Sequence, residues 1–276
     1  MGTFQTLFDS SPSHHKFWHD GSGNFHAYAW LCPEPAQTVE RDINSWRMLI
    51  HPSLRTRELA TAVLAYAEEQ LLKLVGQGTT KEPMKTVAYE RDRWLASLLE
   101  ENGYTKQKAL DVYMQRRLDD PIDDPNLASG YIIRPLDAQK DIVQRSGVQS
   151  DAFGGQPEPD DWSIKNTKRF IRWYVGREDL DLVAVSETGE IASFAVFLVD
   201  SGTGVGELDP VGTRAAYRRR GLSKAVLLSG LQYLKAKGMD LAVVRTGIDN
   251  TPAICLYQSV GFSVVDQLYR YTKSTG

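Results

Sequence analysis

Alternating runs of hydrophobic and polar positions in the second half of the chain predict a series of short strands. Runs of Val, Ile, Leu and Phe bounded by turn residues are typical of strands. The predicted strands are Gly130–Pro135, Asp181–Ser186, Ile191–Val199, Gly206–Thr213, Leu241–Thr246 and Ser263–Tyr271. Because Glu187-Thr-Gly-Glu190 separates two of them, it predicts a hairpin turn.

Apolar residues at helical spacing predict helices between these strands. One helix is expected from Ala225 to Lys237 and ends at Gly238. A second is expected from Thr251 to Val260, with Thr251 as its N-cap. A polar, helix-prone stretch extends to about Gly176. The second half is therefore predicted to be a mixed α/β domain.

The first half repeats part of this pattern. The segment Arg55–Leu64 aligns without gaps with Arg218–Leu227, and six of the ten positions are identical. Leu98–Tyr104 also aligns with Leu256–Phe262. Two matches in the same order predict an internal duplication.

Composition and charge narrow the class of protein. The chain has 276 residues, 42% of them hydrophobic, and a net charge of −3, which does not favour a nucleic-acid binder. Two prolines and four aspartates in Asp119–Asn126 predict a linker between domains 1–125 and 128–276. No run of about 18 apolar residues and no signal-peptide pattern is present, so we expect a cytoplasmic protein without a membrane partner.

The most informative stretch runs from Thr213 to Ala225. A predicted strand ends, three arginines follow, and Gly221 precedes a helical pattern. Backbone N–H groups at a helix N-terminus bind phosphate groups, and arginine charge strengthens that binding. The stretch therefore predicts a pyrophosphate site.

Two motifs in this half resemble the GNAT superfamily of N-acetyltransferases. Arg218-Arg-Arg-Gly-Leu-Ser223 resembles the acyl-CoA motif of that superfamily, with Ser223 in place of Gly or Ala. The block from Asn250 to Phe262 matches its second motif completely. The resemblance covers about residues 130 to 272. It implies two tandem GNAT-like domains, each a mixed, mostly antiparallel sheet flanked by helices.

The resemblance also implies roles for the matching residues. Tyr257 would protonate the departing thiolate. Acetyl-CoA would be the co-substrate, bound by Val211, Gly212, Thr213, Arg218, Arg219, Arg220, Gly221, Leu222, Ser223, Lys224 and Asn250.

An acceptor amine must lose a proton before it attacks a thioester. Glu207 is the candidate base because it lies 11 positions before Arg218 in the sequence. This spacing matches that of the strand-borne glutamate base in histone-acetylating members of the superfamily. Asp209 lies on the same face of a regular strand and is the second candidate, and a water relay is the third. The position where some members carry an acid is Arg245 here.

The first half departs from the family pattern at the equivalent positions. Glu58 stands in place of Gly221, Leu99 in place of Tyr257, and Asn44 in place of Glu207. Residues 1–125 are therefore expected to form a degenerate, non-catalytic GNAT-like domain.

The function expected is direct transfer of an acetyl group to a small-molecule or peptide amine. Acetylation of a thiol precursor, as in the tandem GNAT mycothiol synthase, is an alternative, and a non-catalytic acyl-CoA sensor is another. Because no metal-ligand spacing is evident, we expect no metal. The protein is expected to be a monomer or a homodimer.

Overall fold

The computed structural model describes residues 15–32, 45–75, 83–174 and 180–274. The chain divides into two compact units. The first contains residues 1–110 and 266–276, and the second contains residues 111–265. Asn44, the predicted counterpart of Glu207, lies outside the described residues.

The first unit contains two helices on a small sheet. Its strands are β1 (His15–His19), β2 (Phe25–Cys32), β3 (Ser45–Ile50), β4 (Met84–Tyr89) and the start of β5 (Thr105–Arg117). Its helices are α1 (Arg57–Val75) and α2 (Arg93–Glu101). β1, β2 and β3 are antiparallel neighbours, β3 and β4 begin a parallel pair, and the end of β11 (Ser263–Lys273) pairs with β4.

The second unit has a larger sheet in the order β5-β10-β9-β8-β7-β6. Its remaining strands are β6 (Tyr131–Pro135), β7 (Leu180–Ser186), β8 (Ile191–Asp200), β9 (Val205–Thr213) and β10 (Leu241–Gly247). Its helices are α3 (Ile142–Ala152), α4 (Asp161–Tyr174), α5 (Leu222–Ala236) and α6 (Thr251–Gln258). β9 and β10 run parallel, and the other neighbours are antiparallel. The mixed, mostly antiparallel α/β class is confirmed.

Two details of the helix predictions were wrong. α5 begins at Leu222 rather than Ala225. The N-cap of α6 is Asn250 rather than Thr251, because the Asn250 side chain accepts the N–H of Ala253. Threonine and asparagine both cap helices, so local sequence alone did not distinguish the two positions.

The two halves repeat the same order of elements. The series β3, 3-10 helix, α1, β4, α2, β5 recurs as β9, 3-10 helix, α5, β10, α6, β11. The 3-10 helices, Pro52–Leu54 and Ala215–Tyr217, occupy equivalent positions directly before the aligned segments. The N-caps of α2 and α6, Asp92 and Asn250, are also equivalent. The repeat predicted from sequence is therefore present in the fold.

The last strand of each repeat pairs outside its own repeat. Residues 111–117 of β5 follow α2 but pair with β10, and residues 268–273 of β11 follow α6 but pair with β4. The domain division predicted between residues 125 and 128 keeps β5 with the first repeat and β11 with the second. The compact units instead divide at 110/111 and 265/266, so that each unit contains the strand segment that pairs with its own sheet. Alternating hydrophobicity predicts a strand but does not name its partner.

The sheet of the second unit packs one face against α5 and α6. Phe197, Leu208, Val226 and Val244 are buried in this core. Gly230 of α5 approaches the sheet so closely that a Cβ atom there would lie 1.8 Å from the Phe197 ring. The glycine therefore sets how near the helix lies to the sheet.

We expect Gly230→Ala to destabilise the protein by about 1–3 kcal/mol. Alanine favours a helix interior by up to about 1 kcal/mol over glycine, but overlap with a buried ring costs more. Urea unfolding measures the difference. In a Phe197→Leu background the same change should cost far less, since the ring is gone. Equal losses in both backgrounds would contradict this account.

Candidate active site

The parallel strands β9 and β10 separate partway along their length. They pair from Leu241–Val205 to Val243–Glu207. Beyond that pair β9 continues to Thr213 and β10 to Gly247, while β9 keeps its pairing with β8. The β8–β9 ladder is irregular between Ala195 and Phe197, opposite Asp209 and Pro210. The predicted main-chain sites Val211, Gly212 and Thr213 thus lie on the part of β9 that has left β10.

The loop after β9 presents backbone N–H groups at the start of α5. Gly221 is the N-cap of α5 with a φ of 78°, which glycine adopts without strain, and Arg219 has a φ of 61°. A Cβ at Gly221 would meet no atom within 4 Å, so the space beside it is open. The N–H groups of Leu222, Ser223 and Lys224 lie in the first turn, where helix geometry offers no internal acceptor. The loop has the geometry of an anion site.

The arginines of this loop contact neutral groups. Arg218 donates to the carbonyl oxygens of Thr213 and Ala152, both at 3.4 Å. Arg220 donates to the Tyr131 hydroxyl at 2.9 Å and to the Ala216 carbonyl at 3.1 Å. Because these partners carry no formal charge, the positive charge of both guanidinium groups remains uncompensated by them.

Ser223, which departs from the family motif, connects the loop to β9. Its hydroxyl hydrogen-bonds the Thr213 hydroxyl at 2.5 Å, and Thr213 also contacts the Ser193 hydroxyl at 2.7 Å. The substitution therefore adds a polar link between the N-terminus of α5 and the end of β9. Lys224, the next residue, is exposed.

The equivalent arginines of the first unit are neutralised by carboxylates. Arg55, the counterpart of Arg218, binds both oxygens of Asp92 at 3.2 and 3.0 Å. Arg57, the counterpart of Arg220, binds both oxygens of Glu101 at 2.5 and 2.8 Å. α1 also begins at Arg57 and carries Glu58 in its first turn, so this copy lacks the open loop before the helix. The arginines of this copy are therefore already paired with carboxylates of the same chain.

Tyr257 lies in α6 among the core residues and is 6% exposed. Burial raises the pKa of its phenol well above the usual value, and the charge of Asp209 raises it further. The hydroxyl is therefore a neutral proton donor at pH 7. The sequence position predicted for the acid is thus buried, and it lies within electrostatic reach of Asp209.

Asp209 lies on the diverging part of β9. Burial raises the pKa of its carboxyl, while the charge of Arg245 acts in the opposite direction. The residue nevertheless keeps exposed surface. Protein atoms close to the carboxyl raise its pKa even though solvent still reaches the residue.

Glu207 and Asn250 flank this point on β9 and α6. Glu207 is half-buried and is paired with Val243 of β10 and Leu198 of β8, at the last rung before the strands part. The exposed Asn250 side chain accepts the N–H of Ala253 at 3.3 Å and donates to the Thr246 hydroxyl at 3.2 Å. Its observed contacts are those of a helix cap.

Sequence reasoning missed a charged pair beside these residues. Arg245 lies 3.6 Å from the carboxylate of Asp111, which belongs to β5. From the sequence, Arg245 was noted only because it stands where some superfamily members carry an acidic residue. Asp111 lies before the linker, so no local motif connects it to the second half.

Comparison with known protein families identifies the second unit as an acyltransferase. Residues 150–262 match the model of the acetyltransferase (GNAT) family. This part of the chain is thus a GNAT acetyltransferase domain, and the resemblance stated from the two sequence motifs is confirmed.

Curated relatives extend the similarity along the chain. A mycothiol acetyltransferase from Thermobispora bispora is 28% identical over 83% of this chain and 76% of its own length. A protein of the same name from Corynebacterium glutamicum is 24% identical over 92% of this chain and 83% of its own length.

Solved structures show the same fold. A GNAT protein from Sphaerobacter thermophilus has a TM-score of 0.66 at 21% identity and covers 99% of this chain and 84% of its own. A tandem GNAT protein from the clavulanic acid biosynthesis pathway has a TM-score of 0.72 at 18% identity and covers 96% and 85%. The tandem arrangement of the repeats agrees with that fold.

Two further properties concern the described residues alone. No helix there is both long and apolar enough to cross a membrane. Within the same ranges, no group of three or more His, Cys, Asp or Glu side chains is placed to hold a metal ion.

We expect Asp209→Asn to stabilise the protein at neutral pH. The raised pKa means that the folded state favours the protonated carboxyl, so stability falls as the pH rises from the unfolded-state pKa to the folded-state pKa. Below about pH 3.9 the carboxyl is neutral in both states and the gain should vanish. Thermal unfolding from pH 3 to 8 measures the change.

Asp160→Ala is the contrasting variant. Hydrogen bonds from Ser163 lower the pKa of Asp160, so its carboxylate contributes stability at neutral pH that is lost in acid. The Ala variant should therefore lose stability at pH 7. If Asp209→Asn behaved in the same way, the desolvation of Asp209 would be refuted.

Proposed function

We propose that the second unit is an acetyl-CoA-dependent N-acetyltransferase that moves the acetyl group directly to an amine. The observation that carries this proposal is the open loop from Arg218 to Lys224, with uncompensated guanidinium charge, at the end of a strand that has left its neighbour. Tyr257, a buried proton donor, lies beside the same strand. Both features support an anion site and an acid at the same sheet opening.

The residues present fit acetyl-CoA. Its pyrophosphate would bind the N–H groups of residues 219–224, with charge supplied by the arginines. Gly221 supports this because the space beside it is open. The amides of the pantetheine arm would pair with the main chain of Val211–Thr213. An extended ligand that adds to a free strand edge uses the same hydrogen bonds as a strand.

The chain's own residues would manage the two proton transfers. Bound acetyl-CoA supplies the activated acyl group as a thioester. Glu207 would take the proton of the acceptor ammonium, directly or through water, at the point where β9 and β10 part. Tyr257 would donate a proton to the departing thiolate.

Asp209 is the alternative base. Whether Asp209 or Glu207 is the base, the charge of Asp209 affects the acidity of Tyr257. A negative charge at Asp209 raises the pKa of Tyr257 and so weakens it as an acid. A cationic amine arriving beside Asp209 would compensate that charge. The arrival of the acceptor would then make Tyr257 a better donor, which couples acceptor binding to protonation of the thiolate.

A second candidate function is acetylation of a mycothiol precursor. It is favoured by the two curated relatives described above, which are named mycothiol acetyltransferases. Their similarity extends over 83% and 92% of this chain. Both candidates place acetyl-CoA in the same cleft and differ in the acceptor.

We propose that the first unit does not bind acetyl-CoA. Its two arginines already form ion pairs with Asp92 and Glu101. The position equivalent to Tyr257 is the buried Leu99, whose side chain cannot donate a proton. One acetyl-CoA should therefore bind per chain.

Gly221→Asp should weaken acetyl-CoA binding at least tenfold, whereas Gly221→Asn should weaken it less. Both side chains tolerate a positive φ and have nearly the same shape, so the pair isolates the added negative charge. Titration calorimetry measures affinity and stoichiometry together. Two acetyl-CoA molecules per chain, or equal effects of the two variants, would contradict the assigned site.

Tyr257→Phe and Glu207→Gln should each lower kcat by about 10²–10⁴, the range for loss of a general acid or base. Calorimetry should show little change in acetyl-CoA affinity for either variant. Initial rates with both substrates varied should give intersecting lines, as expected for a ternary complex. Unchanged kcat in both variants would refute the roles, and binding without turnover of any amine would favour a sensor.

A further inference from the structure

A buried arginine interrupts the apolar face of β5. Val112 and Met114 are buried in the core of the second unit, beneath α5 and α6. Arg116 lies two residues further along the strand and therefore on the same face. It carries a charge, yet it is only 6% exposed. Because a buried charge is costly unless its donors are satisfied, the guanidinium must find acceptors inside the protein.

The guanidinium of Arg116 connects two segments of main chain. One terminal nitrogen donates to the carbonyl oxygen of Val260, just after α6, and the other donates to the carbonyl oxygen of Pro121 at 2.5 Å. Pro121 belongs to the linker. The buried Nε–H has no hydrogen-bond partner among the described residues. Arg116 therefore ties the end of α6 to β5 and to the linker.

Val260 belongs to the turn that holds Tyr257. The N–H groups of Val260 and Phe262 both donate to the carbonyl oxygen of Tyr257, each at 3.1 Å. The rings of Tyr257 and Phe262 also face each other, with centroids 5.9 Å apart. The turn thus contacts Tyr257 through its main chain and through its ring, and Arg116 binds that same turn.

Gly261 gives the turn a second contact with the arginine. A Cβ atom at this position would lie 2.7 Å from Nη1 of Arg116. Real Cβ atoms do not approach other atoms so closely, so a larger residue would push the guanidinium away. The turn and the guanidinium are therefore packed together as well as hydrogen-bonded.

The equivalent turn of the first unit has a different neighbour. Gly103 aligns with Gly261, and a Cβ atom there would meet only Cε of Lys273, at 3.8 Å. The helix before this turn carries Leu99 in place of Tyr257. The close contact with a guanidinium thus occurs in the copy that has the tyrosine.

We propose that Arg116 is a positioning residue for Tyr257, because it holds the turn after α6 and so fixes the place of the phenol. The inference rests on the proposed role of Tyr257 as the acid. Arg116 acts through the main chain of Val260 and not on the reacting atoms. A displacement of about 1 Å at a catalytic group can cost as much as about 10²-fold in rate.

Amide hydrogen exchange tests the structural part of the inference without any acceptor. Arg116→Met replaces the guanidinium with an unbranched apolar side chain that has no donors. The N–H groups of Val260 and Phe262 should then exchange at least about tenfold faster, whereas those in the middle of α5 should not change. Unchanged exchange at both positions would overturn the inference.

A double-mutant cycle separates positioning from a general loss of stability. Rates are measured with acetyl-CoA and whichever of glucosamine, spermidine and lysine the wild-type chain acetylates fastest. Arg116→Met should lower kcat about tenfold, and Arg116→Lys, which keeps a charged donor, should lower it less. In a Tyr257→Phe chain Arg116→Met should lower kcat less than about twofold, since no phenol is left to position. Equal losses in the two backgrounds would overturn the inference.

Two variants serve as controls. Gly230→Ala disturbs the same core away from α6, and it should leave kcat within about twofold at temperatures below unfolding. Arg117→Gln changes the next residue of β5, which is exposed and paired with Asp119 at 2.6 Å, and should have no effect. A loss of kcat in Gly230→Ala equal to that in Arg116→Met would also overturn the inference. Full kcat in Tyr257→Phe alone would instead refute the proposed acid.

Discussion

The separation of β9 from β10 after the Glu207–Val243 pair is the constraint on which the site depends. Parallel strands that stay together satisfy each other's main-chain groups, and strands that part leave a row of donors and acceptors to be satisfied otherwise. An extended ligand with amides is suited to that edge. The loop to α5 then places N–H groups and arginines at its end, and α6 places Tyr257 beside it. The free strand edge, the loop and Tyr257 are thus arranged around one interrupted ladder.

The two copies place equivalent arginines beside different partners. In both, a 3-10 helix leads to a helix that begins near two arginines. In the first copy those arginines bind carboxylates of α2, whereas in the second they bind carbonyl oxygens and a hydroxyl. An arginine already paired with a carboxylate has little attraction left for a phosphate. The difference therefore lies in electrostatics, since the order of elements is the same.

Local patterns predicted the strands, the arginine–glycine loop and the duplication, because each is encoded by neighbouring residues. The exchange of β5 and β11 was not predictable, since two strands with similar alternation fit either sheet edge. The Asp111–Arg245 pair depends on that exchange, and the raised pKa of Asp209 depends on burial in the tertiary structure. Asn250 was assigned from motif resemblance to a cofactor contact, and its hydrogen bonds in the structure are those of a cap.

The exchange also gives the first half of the chain a structural part in the second unit. Residues 111–117 complete the sheet of the second unit by pairing with all of β10. A chain beginning at the linker would leave β10 with an unpaired edge and Arg245 without Asp111. The first half of the chain therefore supplies the strand that completes the sheet of the second unit.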